Sequence, residues 1–358
     1  MIEELKTAIG RGEIKKILLI QVSRVGELLF VTPAIRLIRK KFPESHIILI
    51  TSSYAKDVVV GNLNIDELLF FDEKSFFSKA TKLKRFKNMI KVQGYDLAVI
   101  FNKDEGWKEF CRSASVKHIF DRKTSKSFLG NETGNMNHSV EGSVRFLKLL
   151  GIDEKPGRME ISYSREDKEV VEKFLETSGI RKEIPLVVFN PGCGQLMRFK
   201  ARRSTLNRLW EEKKFAQLGE RFIREFNAVI AINGTSRYEE KFTKRISRIM
   251  SKPPLMIIKK FSINQLAYFL TKAVVFITVD TGPMHVAASM GVPIVALYGP
   301  TDKKKTYPYC DERYYRIVAK DLSCSPCKGK GLSCKDNQCM KQITVDDVFM
   351  AAKEVMKI

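Results

Sequence analysis

The stretch Val279-Asp280-Thr281-Gly282-Pro283-Met284-His285-Val286-Ala287-Ala288 decides the fold of this chain. An apolar run at residues 273–279 stops at Asp-Thr-Gly, and a helix of small residues begins at Pro283, where a missing N–H costs nothing. A strand that passes through glycine into a helix directs free N–H groups and the positive end of a helix dipole at one point. The pattern predicts an anion site, typically for phosphate, with His285 as a further donor. The alternative is an ordinary strand–helix turn with a buried histidine.

Apolar runs of strand length recur on both sides of this stretch. They predict strands at residues 17–22, 46–51, 67–71, 97–101, 186–189, 228–233, 254–258, 274–279 and 294–297. Helical patterns lie between them, among others at about 54–61, 76–92 and 138–150, one from Thr32 as N-cap with Pro33 first, and one capped by Ser262. Strands alternating with helices predict an α/β fold with doubly wound parallel sheets.

The length of 358 residues exceeds what one hydrophobic core usually serves, so we expect two domains. We place the first at residues 1–180, ending in a charged helix and linker from 164 to 181. The second is placed at 181–342, including a cysteine-rich loop at 324–339, and a final helix occupies 343–358.

The net charge of +22 predicts a polyanionic partner, which includes nucleic acid, an anionic lipid surface and a phosphorylated substrate. Residues 79–91 carry six cations and no acid, interleaved with apolar residues at helical spacing. Such a helix is typical of a membrane-surface contact, or else of a solvated outer helix. No apolar run approaches 18 residues and the first residues lack a signal-peptide core, so we expect a cytoplasmic protein.

From Asp280 to Thr301 the chain resembles the donor-binding signature of the family-nine glycosyltransferases, the lipopolysaccharide heptosyltransferases. That signature runs Asp-Ser/Thr-Gly-x-x-His-x-Ala-Ala-x-x-Gly-x-Pro-x-x-x-Leu-Tyr-Gly-Pro-Thr, and the chain matches it at every anchor position. The resemblance implies the GT-B fold, in which two Rossmann-like domains face a cleft. It also implies that Asp280, Thr281, Gly282 and His285 bind the diphosphate of a nucleotide sugar.

Further donor residues follow from the same resemblance. Gly192 lies in a Pro-Gly loop that approaches the phosphates in the family, and Arg208 falls where the family has a phosphate-binding lysine, two residues before Trp210. Residues 195–207 look longer than usual and carry other cations that could serve instead. Glu239 is favoured over Glu240 as the ribose contact.

The first loop, at residues 24–34, resembles the family's Gly-Asp-x-Leu-x-x-x-Pro-Ala opening, whose aspartate is the general base for the acceptor hydroxyl. The position holds Glu27 here, and Arg24 and Gly26 belong to the same acceptor loop. A carboxylate at a strand end suits base chemistry. Because glutamate is longer than aspartate, either the acceptor lies differently here or the base is another group. A further alternative is that Glu27 only caps the following turn.

Four cysteines, Cys324, Cys327, Cys334 and Cys339, have the spacing C-x2-C-x6-C-x4-C. In a cytosolic protein such a group indicates metal, zinc first, before disulfides. Cysteines also recur near this place in the resembled family, which implies a local loop clamp and not a catalytic centre. We therefore predict a structural zinc site, with a disulfide or free-thiol loop as the alternative.

Absent motifs narrow the chemistry. The chain has no Asp-x-Asp, which disfavours a metal-chelating glycosyltransferase, and no Gly-x4-Gly-Lys-Ser/Thr, which excludes a P-loop. The resemblance implies an inverting transferase that needs no cofactor and moves a heptose from an ADP-sugar to a phosphorylated glycolipid, peripherally bound at the inner face of the cytoplasmic membrane. The alternatives are another nucleotide-sugar donor, a degenerate member without turnover, and a non-enzymatic nucleic-acid-binding protein, although no nucleic-acid module is present.

Overall fold

The computed structural model describes residues 2–71, 76–122, 138–192, 208–234, 237–327, 334 and 336–356, with the backbone alone at 76–83 and 237–238. Internal contacts group the chain into two compact units, Met1–Ser162 and Tyr163–Ile358. Each unit contains one parallel sheet with helices in its crossovers.

The first unit is built on five parallel strands in the order β3-β2-β1-β4-β5. The strands are β1 Lys16–Gln21, β2 His46–Thr51, β3 Glu67–Phe70, β4 Leu97–Ile100 and β5 His118–Asp121. The helices are α1 Ile2–Gly10, α2 Val25–Leu29, α3 Thr32–Lys41, α4 Phe76–Gln93, α5 Gly106–Ser113 and α6 Ser139–Arg145, with 3-10 turns at Ser53–Val58 and Phe146–Leu150. Strands β1, β2 and β4 are almost wholly buried, as expected for a parallel sheet covered on both faces.

The second unit has six parallel strands in the order β11-β10-β9-β6-β7-β8. The strands are β6 Leu186–Asn190, β7 Val229–Gly234, β8 Leu255–Ile258, β9 Val275–Val279, β10 Ile294–Tyr298 and β11 Tyr315–Ala319. The helices are α7 Arg165–Thr177, α8 Glu212–Phe226, α9 Arg237–Ile249, α10 Ile263–Leu270, α11 Gly282–Ser289, α12 Lys303–Thr306, α13 Gln338–Lys341 and α14 Val345–Val355, with a 3-10 turn at Glu312–Tyr314.

The strand order of the second unit reverses between β6 and β9. The chain runs outward from β6 through β7 to β8, and then returns to the other side of β6 with β9, β10 and β11. In open α/β sheets, ligands bind at the carboxyl ends of the strands at such a reversal. The predicted phosphate turn after β9 therefore lies at the position where this topology expects a ligand.

The predicted fold class is confirmed, because both units are doubly wound parallel sheets. Each predicted strand is present, whereas β5 and β11 were not predicted. The predicted capping role of Thr32 was wrong. Val31 precedes the first helical residue, and the Thr32 hydroxyl donates to the carbonyl of Leu29 at 2.8 Å, so it does not cap the helix. The Ser262 cap is confirmed by a 3.1 Å bond from the Gln265 N–H.

Helix α7 belongs to the second unit by its packing. Phe174 contacts Phe269 of α10 with ring centroids 6.4 Å apart, and Glu172 pairs with Lys272 at the end of the same helix. The boundary between the two compact units therefore lies before α7, at Ser162, whereas the predicted domain boundary at residue 180 lies after this helix. Helix α14 packs into the core of the second unit and forms no separate body.

Helix α4 has an apolar face that is already occupied. Phe86, Met89 and Ile90 pack on the core of the first unit, whereas Lys84 and Lys91 are exposed. This arrangement is that of an outer helix, although Val92 near its end is 86% exposed. Within the described ranges, we find no helix with the length and apolar character needed to cross a membrane.

Asp96 fastens the amino-terminal edge of the first sheet. Its Oδ2 accepts the backbone N–H groups of Lys15 at 2.9 Å and Lys16 at 3.0 Å, and its Oδ1 accepts Lys117 Nζ at 2.7 Å. Burial alone would raise the pKa of Asp96, but these bonds outweigh it, so the pKa lies below its ordinary value. The ionised carboxylate therefore contributes to folding stability.

Candidate functional site

The turn after β9 forms as the sequence predicts. Every residue of β9 is buried, and the strand leads into Asp280, which is 7% exposed. Thr281 has extended backbone with φ of −152°, and α11 then begins at Gly282. His285 lies in this helix and is 4% exposed. The four residues predicted to bind the diphosphate thus lie together at the start of a helix.

Arg208 lies against this turn. Its Nη1 is 3.4 Å from the Asp280 carbonyl oxygen and 3.7 Å from Asp280 Oδ2. Burial raises the pKa of the Asp280 carboxyl, and Arg208 and the nearby hydroxyls of Thr301 and Thr306 lower it only in part. A half-buried guanidinium beside a helix start is chemically suited to bind a diphosphate.

Arg208 is held in place by the apolar residues that follow it. The Trp210 ring packs edge-on against Phe215 with centroids 4.9 Å apart, and both side chains are fully buried. Trp210 Nε1 also donates to the Ile343 carbonyl at 3.0 Å. The other cations considered for this role, at 195–207, lie outside the described residues.

Gly192 and Glu239 are in tight contact. A Cβ placed on Gly192 would lie 2.5 Å from Glu239 Cγ and 2.6 Å from Glu239 Oε1, so only glycine fits here. Glu239 is 4% exposed, whereas Glu240 pairs with Lys244 at 2.8 Å on the outside of α9. The structure therefore places Glu239, and not Glu240, beside the predicted phosphate loop.

Sequence reasoning missed two buried amides at the same edge of the sheet. Asn190 ends β6 and is 3% exposed, and Asn233 precedes the last residue of β7 and is 4% exposed. Their side chains are bonded to each other at 2.8 Å. The available signal was a polar residue at the end of an otherwise apolar strand, which marks a group that must find a buried partner.

In the first unit, the loop after β1 is fastened by neighbouring strand ends. Asn102 bonds both the N–H of Val22 at 2.9 Å and its carbonyl at 3.0 Å, and the Ser52 hydroxyl donates to the Ser23 carbonyl at 2.6 Å. Gln21 Nε2 donates to Ser23 Oγ at 2.8 Å. This support holds the start of α2 at the carboxyl edge of the first sheet.

The predicted acceptor residues lie on this support. Arg24 precedes α2 and is exposed, Gly26 is buried within the helix, and Glu27 is exposed in its first turn. Glu27 Oε2 accepts the Arg24 N–H at 3.4 Å, which is long for a hydrogen bond. Glu27 thus makes a weak capping contact, and its role as base stays a prediction.

The four-cysteine loop, comprising Cys324, Cys327, Cys334 and Cys339, contacts the end of β10. Ser325 Oγ donates to the Gly299 carbonyl at 2.6 Å, and the Cys327 N–H donates to the Pro300 carbonyl at 3.0 Å. Burial raises the pKa of Cys327 and Cys339, and the neighbouring thiols raise it further. All four are free thiols, and among the described residues no three metal-binding side chains are placed to hold an ion. The zinc site stays a prediction.

Comparison with known proteins identifies the family of this chain. Residues 105–337 match the model of glycosyltransferase family 9 (heptosyltransferase). Lipooligosaccharide heptosyltransferase 2 of Campylobacter jejuni is 24% identical over 339 residues, covering 93% of this chain and 96% of that protein.

Solved structures of this family share the fold. The family 9 glycosyl transferase of Veillonella parvula superposes with a TM-score of 0.82 at 22% identity, covering 96% of this chain and 97% of that one. The E. coli heptosyltransferase WaaC with ADP superposes with a TM-score of 0.66 at 17% identity, covering 95% and 99%. Two parallel sheets of five and six strands match the GT-B heptosyltransferase structures. The chain therefore belongs to glycosyltransferase family 9, the heptosyltransferases of lipopolysaccharide core biosynthesis, and is an enzyme of that class.

Proposed function

We propose that this enzyme is an inverting glycosyltransferase that moves a heptose from an ADP-sugar to the phosphorylated lipid A/inner-core acceptor of lipopolysaccharide. The observation that carries the proposal is the Arg208 guanidinium 3.7 Å from Asp280 Oδ2 at the start of α11. In the second unit, the N–H groups at the start of α11 and the Arg208 guanidinium lie together at the carboxyl edge of the sheet, where α/β folds bind ligands. The ADP in the WaaC structure supports an adenine nucleotide as the donor carrier.

The second unit would bind the donor. The first turn of α11 and Arg208 would hold the diphosphate, since helix starts and guanidinium groups both favour phosphate oxygens. Glu239, buried against Gly192, would accept hydrogen bonds from the ribose hydroxyls. The start of α11 and Arg208 would stabilise the negative charge that develops on the leaving diphosphate, which lowers the free energy of the transition state.

The first unit would supply the base. Glu27 would remove the proton of the acceptor hydroxyl while its oxygen attacks the anomeric carbon. The new carbon–oxygen bond forms as the bond from the anomeric carbon to the β-phosphate oxygen breaks. ADP leaves with the bonding electron pair, and one displacement inverts the configuration. No divalent ion is needed in this scheme, in keeping with the missing Asp-x-Asp.

The proposed partners follow from charge. The net charge of +22 favours an anionic glycolipid and an anionic membrane surface over a neutral acceptor. Lys84, Arg85 and Lys91 on the solvent side of α4 supply an electrostatic contact that needs no inserted apolar residue. We therefore propose peripheral association with the inner face of the cytoplasmic membrane.

A second candidate is a family member that binds donor without turnover. It is favoured by Glu27 in place of the family's aspartate, and by the 3.4 Å contact from the Arg24 N–H to Glu27 Oε2, which is the contact of a cap. Donor binding is common to both candidates, and only transfer separates them.

The test is a pair of measurements on the wild-type chain. ADP should raise the melting temperature. At a concentration of one hundred times its Kd, it should add about 2.7 kcal/mol to the free energy of unfolding. The rise should persist in EDTA, whereas its loss in EDTA would contradict the metal-free scheme. With ADP-heptose and a heptose-deficient lipopolysaccharide acceptor, ADP release should depend on the acceptor. Donor binding without transfer would establish the second candidate.

A further inference from the structure

Asn190 occupies the centre of the second sheet at the edge that carries the donor residues. It is the last residue of β6, which lies between β9 and β7 in the strand order. Its side chain is buried at 3% exposure. A buried amide has to be hydrogen-bonded on both its nitrogen and its oxygen, because an unpaired group would cost the full desolvation penalty.

Each end of this amide is bonded to a different strand end. The oxygen accepts Asn233 Nδ2 of β7 at 2.8 Å. The nitrogen lies 3.2 Å from Thr278 Oγ1 of β9, 3.3 Å from the Gly192 carbonyl and 3.5 Å from Thr281 Oγ1. A carbonyl oxygen only accepts, so the Gly192 contact sets the orientation of the amide with its nitrogen toward Gly192.

The consequence is that one side chain joins three chain segments. Gly192 lies in the predicted phosphate loop, Thr281 directly precedes helix α11, and Asn233 lies in the strand that leads toward Glu239. Each of these segments leaves the sheet at its carboxyl edge, where the ladder bonds between strands end. Beyond that edge, the Asn190 amide is a direct link between the segment at Gly192 and the segment at Thr281.

We propose that Asn190 is a positioning residue that sets the spacing between the Gly192 loop and the start of α11, and thereby the affinity for the donor diphosphate. The inference rests on the proposed donor site. Binding groups must be held within fractions of an ångström to act together, and a residue that supports them contributes to affinity without touching the ligand. The role belongs to the amide itself, since an apolar side chain of similar size cannot bond the Gly192 carbonyl and the Asn233 amide at once.

The first experiment measures ADP binding by calorimetry, well below the melting temperature. Asn190→Ala should weaken ADP binding by about tenfold or more. The control is Phe349→Leu, at a core residue that packs on Phe222 and Phe226 of α8. Phe349→Leu should lower the melting temperature but leave the ADP Kd unchanged, which separates positioning from loss of stability.

A second variant covers the case in which Asn190→Ala does not fold. Thr278→Val keeps the side-chain shape in β9 and removes the hydroxyl that the Asn190 amide contacts, so ADP binding should weaken in the same direction. The double variant Asn190→Ala with Thr278→Val should bind ADP little worse than the weaker-binding single variant, because contacts in one network are not additive.

The outcomes distinguish this inference from the proposed function. Wild-type protein that binds ADP, together with Asn190→Ala and Thr278→Val that bind it equally well, would overturn the role of Asn190 and leave the donor site intact. A wild-type chain that does not bind ADP would overturn both. Weaker binding in both variants, with Phe349→Leu unchanged, establishes the positioning role.

Discussion

Replacing Gly192 by alanine would force a methyl group into space that Glu239 occupies. The added Cβ would lie 2.5 Å from Glu239 Cγ, 2.6 Å from Oε1 and 2.7 Å from Cδ, all far inside van der Waals contact. Glu239 is 4% exposed, so its side chain has little open space into which to retreat. The variant must therefore displace either the carboxylate or the loop that contains residue 192.

The size of the effect follows from what the carboxylate is proposed to do. A hydrogen bond to a charged group contributes about 1.5–3 kcal/mol. Loss of the ribose contact should therefore raise the Kd for ADP by about 10- to 150-fold. Glu239→Ala removes the same contact without a clash, so its Kd should rise by a similar factor. Overpacking should in addition lower the melting temperature of Gly192→Ala alone.

The decisive assay is a double-mutant cycle measured by calorimetry. If Gly192→Ala acts through Glu239, the double variant should bind ADP no more weakly than Glu239→Ala, and it should melt above Gly192→Ala because the truncated side chain makes room for the methyl group. The matched control is Gly10→Ala, where a Cβ meets nothing within 4 Å, and its ADP affinity should not change. Wild-type affinity in Gly192→Ala would refute the reasoning.

Three other expectations concern the base, the first sheet and the cysteines. Glu27→Gln should lower the rate of sugar transfer at least about 100-fold with ADP affinity unchanged. Turnover near the wild-type rate would mean that Glu27 is only a cap. Glu27→Asp measures whether the shorter carboxylate side chain also supports transfer. Asp96→Asn should cost about 1–2 kcal/mol at neutral pH. Because the pKa of Asp96 is lowered in the folded state, its contribution to stability is present above about pH 4 and is lost as the pH falls through the folded pKa. Asp96→Asn should therefore lose less stability on acidification than the wild type. Equal acid sensitivity of the two proteins would contradict this. Elemental analysis should find about one zinc per chain if the four-cysteine loop holds metal, whereas none in protein purified without chelator favours a thiol clamp.

The sequence predicted those elements whose apolar pattern is continuous. Strands β1, β2, β6 and β9 are buried apolar runs, and each was predicted to within a residue at either end. Strands β5 and β11 lie at sheet edges, and their polar residues interrupt the pattern. Such a strand forms because it pairs with the adjacent strand of the sheet. The local sequence pattern contains no information about that partner strand.

The candidate site divides in the same way. The Asp-Thr-Gly turn was predictable because glycine, proline and an apolar strand meet in one short segment. Asn190 was not, since its importance depends on partners 43 and 88 residues away in sequence. The error at Thr32 has the same cause: its hydroxyl donates to the Leu29 carbonyl and accepts the N–H of Glu160, a residue distant in sequence, instead of a helix N–H.

The two anchors at Gly192 and Arg208 have a consequence for the evolution of this enzyme. Gly192 is held by Asn190, and Arg208 is held by Asp280 and by the burial of Trp210 beside it. The fifteen residues between these anchors can then change in number or sequence without moving either anchor, because the entropy cost of closing a longer chain segment grows only logarithmically. An exchange of residues 193–207 is therefore expected to leave both proposed phosphate-binding residues in place.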